Sequence, residues 1–183
     1  QGPLVVPGQY EVVLTVNGQE YRQPLAVRPD PRVHASLGDM QAQLALEQKL
    51  SQAMNASYEA WQQVHAAHTA LAEDQKGLTK EAADSAKKLD DALSALEDGK
   101  PDKPGFGPLN RDLGRLLTMA GAGDARPAQT LYSAAEEGCD NLNQALTQWQ
   151  DLNQHEIEAF NAVLQKNGKP ALPAAKVPSG CTP

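Results

Sequence analysis

Residues 7–27 read PGQYEVVLTVNGQEYRQPLAV, and the pair Asn17-Gly18 at their centre decides how this end of the chain folds. Asn-Gly between two alternating apolar runs is the signature of a two-residue type I′ turn, which needs positive φ at both positions. Setting the turn there fixes the register: Val16 faces Gln19, Leu14 faces Tyr21, Val12 faces Gln23 and Tyr10 faces Leu25. Tyr10, Val12, Leu14, Tyr21 and Leu25 then share one face, while Glu11, Thr15, Glu20 and Arg22 share the other. Turn chemistry and binary pattern agree on a hairpin within residues 1–28. Pro24 removes a ladder donor, which suits an edge or a strand end. A two-stranded hairpin is marginal alone in water, so its apolar face needs a cover. Two covers compete. One is the helices that follow; the other, preferred, is an immunoglobulin-like sandwich begun upstream of Gln1, with this hairpin as its closing strands. On the preferred reading Tyr10, Val12, Leu14 and Tyr21 form an interaction surface that the chain's own helices leave open.

Beyond the hairpin, Arg28-Pro29-Asp30-Pro31 opens a stiff linker over 29–35, because each proline forces its predecessor into extended conformation. Four apolar stripes of helical period then fill residues 36–167. The first runs Leu37, Met40, Leu44, Leu50, Met54, Trp61, Val64, His68, Leu71, with Ser36 as N-cap and Gly77 as stop. The second is Leu78, Ala82, Ala86, Leu89, Leu93, Leu96, and the third Leu109, Leu113, Leu116, Leu117, Ala120. The fourth reads Ala128, Leu131, Ala135, Cys139, Leu142, Leu146, Trp149, Leu152, Phe160, Leu164, with Pro127 in the first turn.

Length selects the architecture. The first helix (36–75) measures ~60 Å and the fourth (128–166) ~58 Å, whereas the second (79–97) and third (108–121) measure ~28 and ~21 Å. The expected fold is mainly α: an antiparallel, three-legged bundle whose middle leg is interrupted, with a four-helix bundle as the alternative. Phe106, the apolar residue in the loop DGKPDKPGFGP (98–108), is expected to plug the break in that leg; a partner contact is the lesser reading.

Little in the chain promises chemistry. Lysine and arginine total 11 over residues 37–166 against 20 aspartates and glutamates, a balance of −9 that repels phosphate backbones and argues against nucleic acid. No stretch approaches the ~18 apolar residues of a membrane span. His65 and His68, three apart on the first helix near Glu59 and Glu73, are the only candidate metal ligands, and a site needs a third and fourth. His155-Glu156 lacks the second histidine of an HExxH motif. Trp61 and Trp149 read as core, and Asp90-Asp91, Glu97-Asp98 and Glu136-Glu137 as solvated faces. No catalytic residue and no cofactor is assigned.

The string PGQYEVVLTVNGQEYRQPLAVRPDPRV, running from Pro7 to Val33 into a long helix, resembles a C-terminal segment of bacterial secreted proteins that carry sortilin-like, Asp-box β-propellers, often described as glycosyl hydrolases. The stretch from Gly107-Pro108-Leu109-Asn110 to Trp149, Leu152 and Asn161 is similar to the closing helices of that segment. No Asp-box (Ser-x-Asp-x-Gly-x-Thr-Trp) occurs in these 183 residues, so any propeller activity would reside upstream. The resemblance implies an extracytoplasmic bacterial setting and a non-catalytic accessory or interaction region, with upstream propeller and sandwich domains or another protein chain as partners. An independent helical ligand- or protein-binding module is the alternative. A metal-dependent enzyme built on His65 and His68 stands last.

An even cysteine count in a secreted setting favours a bond between Cys139 and Cys181. The helix climbs ~40 Å from Cys139 to Lys166. Fifteen steps of tail return ~46 Å when extended as polyproline II. The expectation is an extended Pro-rich tail (168–183) lying straight back along the fourth helix, with Leu172 and Val177 on the bundle. A loose tail over two free thiols is the competing view.

Overall fold

The computed structural model of the chain describes residues 2–74 and 78–181; the proposed stop at Gly77 lies outside them. Asn17 (φ 52°) and Gly18 (φ 81°) both take the left-handed conformation that the type I′ turn demands. They join β1 (Gly8–Val16) to β2 (Gln19–Val27), antiparallel and in the expected register, from Val16 opposite Gln19 to Tyr10 opposite Leu25.

Helix α1 (Leu37–Asp74) starts in a reciprocal cap: Asp39 N–H donates to Ser36 Oγ at 3.2 Å, and Ser36 N–H donates to Asp39 Oδ2 at 3.2 Å. Next come α2 (Lys80–Glu97), a minute ribbon of β3 (Gly99–Lys100) and β4 (Lys103–Pro104), and α3 (Phe106–Ala120). Contacts with α1 trace the middle leg downward: Glu97 meets His68, Gly107 meets Trp61, Asn110 meets Ser57 and Gly121 meets Glu47. Helix α4 (Gln129–Asp151) climbs back, with Tyr132 beside Ala42 and Trp149 beside Gln63. A π-helical turn (Leu152–Glu156) leads into α5 (Ile157–Lys166), which packs on α2. The bundle is therefore three-legged with a broken middle leg.

Two expectations change. The loop 98–108 carries regular structure after all, since α3 begins at Phe106 and the ribbon closes the break. A Cβ on Gly99 (φ 91°) would lie 2.5 Å from Gly105 N, so only glycine lets the two strands close here. The last leg, expected as a single fourth helix, is not one α-helix. Buried positions step Trp149, Leu152, Ile157, Phe160, Leu164. The step of five between Leu152 and Ile157 is one residue too long for an α-helical stripe, and the π turn absorbs it, with Ile157 N–H donating to Leu152 C=O.

The core runs the length of the bundle. Small residues of α1 (Ala53, Ala56, Ser57, Ala60, Ala67) are buried between Leu50, Val64 and Leu71, so the helices approach closely there. Met40, Leu44 and Trp61, expected in the stripe, are only half-buried, and Leu37 is exposed. Trp149 is fully buried, as expected, with its indole N–H donating to Gln63 Oε1 at 3.0 Å.

The tail runs back along α5 and α4 as an extended strap. Leu172 N–H donates to Asn161 Oδ1 (2.7 Å), Asn153 Nδ2 donates to Ala175 C=O (3.0 Å), and Cys181 N–H donates to Asn143 Oδ1 (2.9 Å). Cys139 and Cys181 form a disulfide with Cα atoms 5.5 Å apart. Leu172 is buried and Val177 half-buried against the core.

Candidate interaction site

The hairpin divides its two faces by chemistry. On one, Arg22 pairs with both Glu11 and Glu20, the latter at 2.7 Å, forming an exposed ionic row. On the other, Val12, Leu14 and Tyr21 are 52 %, 58 % and 57 % exposed, and Val16 and Leu25 are also open. The helices of the chain do not cover them. Tyr10 is half-buried, and its hydroxyl donates to Val6 C=O at 2.6 Å, bending the chain just before β1. A tyrosine near the start of a strand, bonded back to backbone a few residues upstream, has the hydrogen-bond geometry of the tyrosine corner described for immunoglobulin-type sandwiches. Nothing in the one-dimensional pattern singled out that hydroxyl; the interval from Val6 to Tyr10 was its only trace.

Phe106 is no part of this surface. It is fully buried as the first residue of α3, at the break in the middle leg. Expected plugging of the gap is what it does.

The histidine pair has a different neighbour from the one expected. His65 Nδ1 lies 2.6 Å from Glu97 Oε1 and His68 Nδ1 lies 2.9 Å from Glu97 Oε2. Asp90 Oδ1 lies 3.2 Å from His68 Nε2. Glu97 is therefore not a solvated surface acid: it is 9 % exposed and holds both rings in a fork. Both nitrogens of His68 face carboxylate oxygens, an arrangement that favours the protonated ring. Its pKa is raised, chiefly by the hydrogen bond to Glu97, with burial opposing and the Asp90 charge assisting. Burial pushes the Glu97 carboxyl upward, but hydrogen bonds from His68 and His65 outweigh it and hold the pKa below the ordinary value. Trp61 stacks on the outer face of His65, with ring centroids 4.9 Å apart. Among the described residues no three His, Cys, Asp or Glu side chains are placed to hold a metal ion. The fork clamps α2 to α1. The signal for Glu97 was available in its spacing: it lies four residues beyond Leu93, on the buried side of α2.

No described helix is long and apolar enough to cross a membrane, and no described cysteine is free. Comparisons with protein-family models, with curated proteins and with solved structures find no match.

Proposed function

We propose that this chain is a non-catalytic accessory region of a secreted, extracytoplasmic bacterial protein of the sortilin-like β-propeller kind. In this reading the hairpin completes an immunoglobulin-like sandwich whose other strands come from upstream polypeptide. The helical bundle stands beside that sandwich as a stiff, strapped body for protein–protein contact. One observation carries the reading: β1 opens with a tyrosine corner, and the apolar face it anchors has no cover. The disulfide supports an oxidising compartment. Hydroxyl-radical footprinting of Val12, Leu14 and Tyr21 tests it, comparing this isolated 183-residue chain with the protein purified from its native source. The three side chains should be reactive in the isolated chain and protected in the native protein. Equal reactivity in both would end the sandwich reading.

A further inference from the structure

The two free edges of the hairpin are not equivalent. In a two-residue hairpin the residues flanking the turn, Val16 and Gln19, form a hydrogen-bonded pair, and such pairs alternate with non-bonded ones along the ladder. Leu14–Tyr21, Val12–Gln23 and Tyr10–Leu25 are therefore bonded inward. The intervening residues direct N–H and C=O outward: Gln9, Glu11, Val13 and Thr15 from β1, and Glu20, Arg22, Pro24 and Ala26 from β2. All four outward positions of β1 retain a donor. On β2, Pro24 places a ring where the second of its middle donors would stand, so that edge cannot complete a ladder.

We infer that the outer edge of β1 is the docking edge, taking an extended strand of a β-sandwich sheet, and that β2 is the terminal strand. This rests on the sandwich reading above and adds which edge is used. The occupant is fixed by two demands that meet at β1. Its unpaired backbone groups over residues 9–15 call for an extended segment of about 20 Å. The face holding Val12 and Leu14 calls for apolar side chains alternating with polar ones that meet the Glu11–Arg22 face. The tyrosine corner at Tyr10 identifies the class of sheet, since it opens a strand that is internal to a Greek-key sandwich.

Residue-resolved amide exchange on the protein purified from its native source reads the edges directly. The amides of Glu11, Val13 and Thr15 should exchange at least about 100-fold more slowly than those of Glu20, Arg22 and Ala26, because only the first row gains ladder partners. In the isolated chain both rows should exchange quickly. Protection of the β2 row instead, or of neither row, overturns the assignment. Footprinting of Val12 and Leu14 reports separately on the sandwich: protected side chains with an unprotected β1 row would sink the edge assignment alone. Val13→Pro supplies a second check, since position 13 donates outward and its loss leaves the hairpin's own ladder intact. In the native protein it should unmask Val12 and Leu14 to footprinting, and unchanged protection there would count against β1.

Discussion

Glu97 shows how one buried carboxylate can make helix docking depend on pH. His68 has a raised pKa, so its contribution to stability is complete below the unfolded imidazole value of about 6.5 and is lost as pH rises through the folded value. The lowered pKa of Glu97 acts in the opposite sense, contributing above the unfolded carboxyl value of about 4.3 and fading as pH falls through the folded value. The fork is strongest between those limits. Thermal unfolding should accordingly occur at higher temperature near pH 5.5–6 than near pH 8–8.5, and His68→Ala should flatten that difference. Glu97→Gln should cost about 1–3 kcal/mol near pH 6, because the amide has one oxygen where the fork uses two, so one imidazole N–H meets an NH2 that cannot accept. A pH profile unchanged in His68→Ala would show that other groups set it. The sequence displayed half of this device. His65 and His68 are visible as neighbours on one helix turn, but Glu97 reaches them from 29 residues beyond His68, and only the descent of α2 along α1 brings it there.

At the scale of elements, what could be read depended on whether a local rule was enough. The hairpin obeyed one, because Asn17-Gly18 sets the register without help from the rest of the fold. The stripe of α1 did not. Large apolar side chains drew attention to Met40, Leu44 and Trp61, yet these are only half-buried, while the small residues Ala53, Ala60 and Ala67 are buried against the other legs. The π turn was also legible in principle, as the missing Ile157 in the stripe from Leu152 to Phe160. Its role gives a sharp test. Deleting the exposed His155 shortens the step between Leu152 and Ile157 to four, which restores an ordinary α-helical stripe. That deletion should cost no more than about 1–2 kcal/mol in denaturant unfolding, from shifting Asn161 against the tail. Deleting Gln144 inside α4 instead turns every later core residue about 100° away from the bundle and should leave the chain unfolded. Equal effects from the two deletions would refute the register argument.

Over the whole molecule, the tail acts as a strap that ties the last residues to the middle of α4. Cys139 and Cys181 close a loop with a sequence separation of 42, and loop-closure entropy for that length amounts to about 4 kcal/mol. The strap is also seated along its course. Gly180 passes so close to α4 that a Cβ there would lie 2.0 Å from Asn143 Oδ1, and the buried Leu172 exchanges hydrogen bonds with Asn161 in both directions. Gln63 adds a cross-link, accepting from the Trp149 indole while donating to Lys176 C=O at 2.8 Å. The route was foreseeable from arithmetic on the helix rise, but the seating was not, because a proline-rich sequence says nothing of which asparagines will meet it. Two parts of the strap should therefore separate energetically. Cys181→Ser removes the closure and should lower stability in guanidinium unfolding by up to about 4 kcal/mol, with Leu172 still held by Asn161. Truncation after Lys169 removes Leu172 as well, and burial of one leucine side chain adds about 2 kcal/mol to the loss. If the two variants unfold at the same denaturant concentration, the tail peels away as one piece once the disulfide is gone, and the Asn161–Leu172 clamp has no independent hold on the bundle.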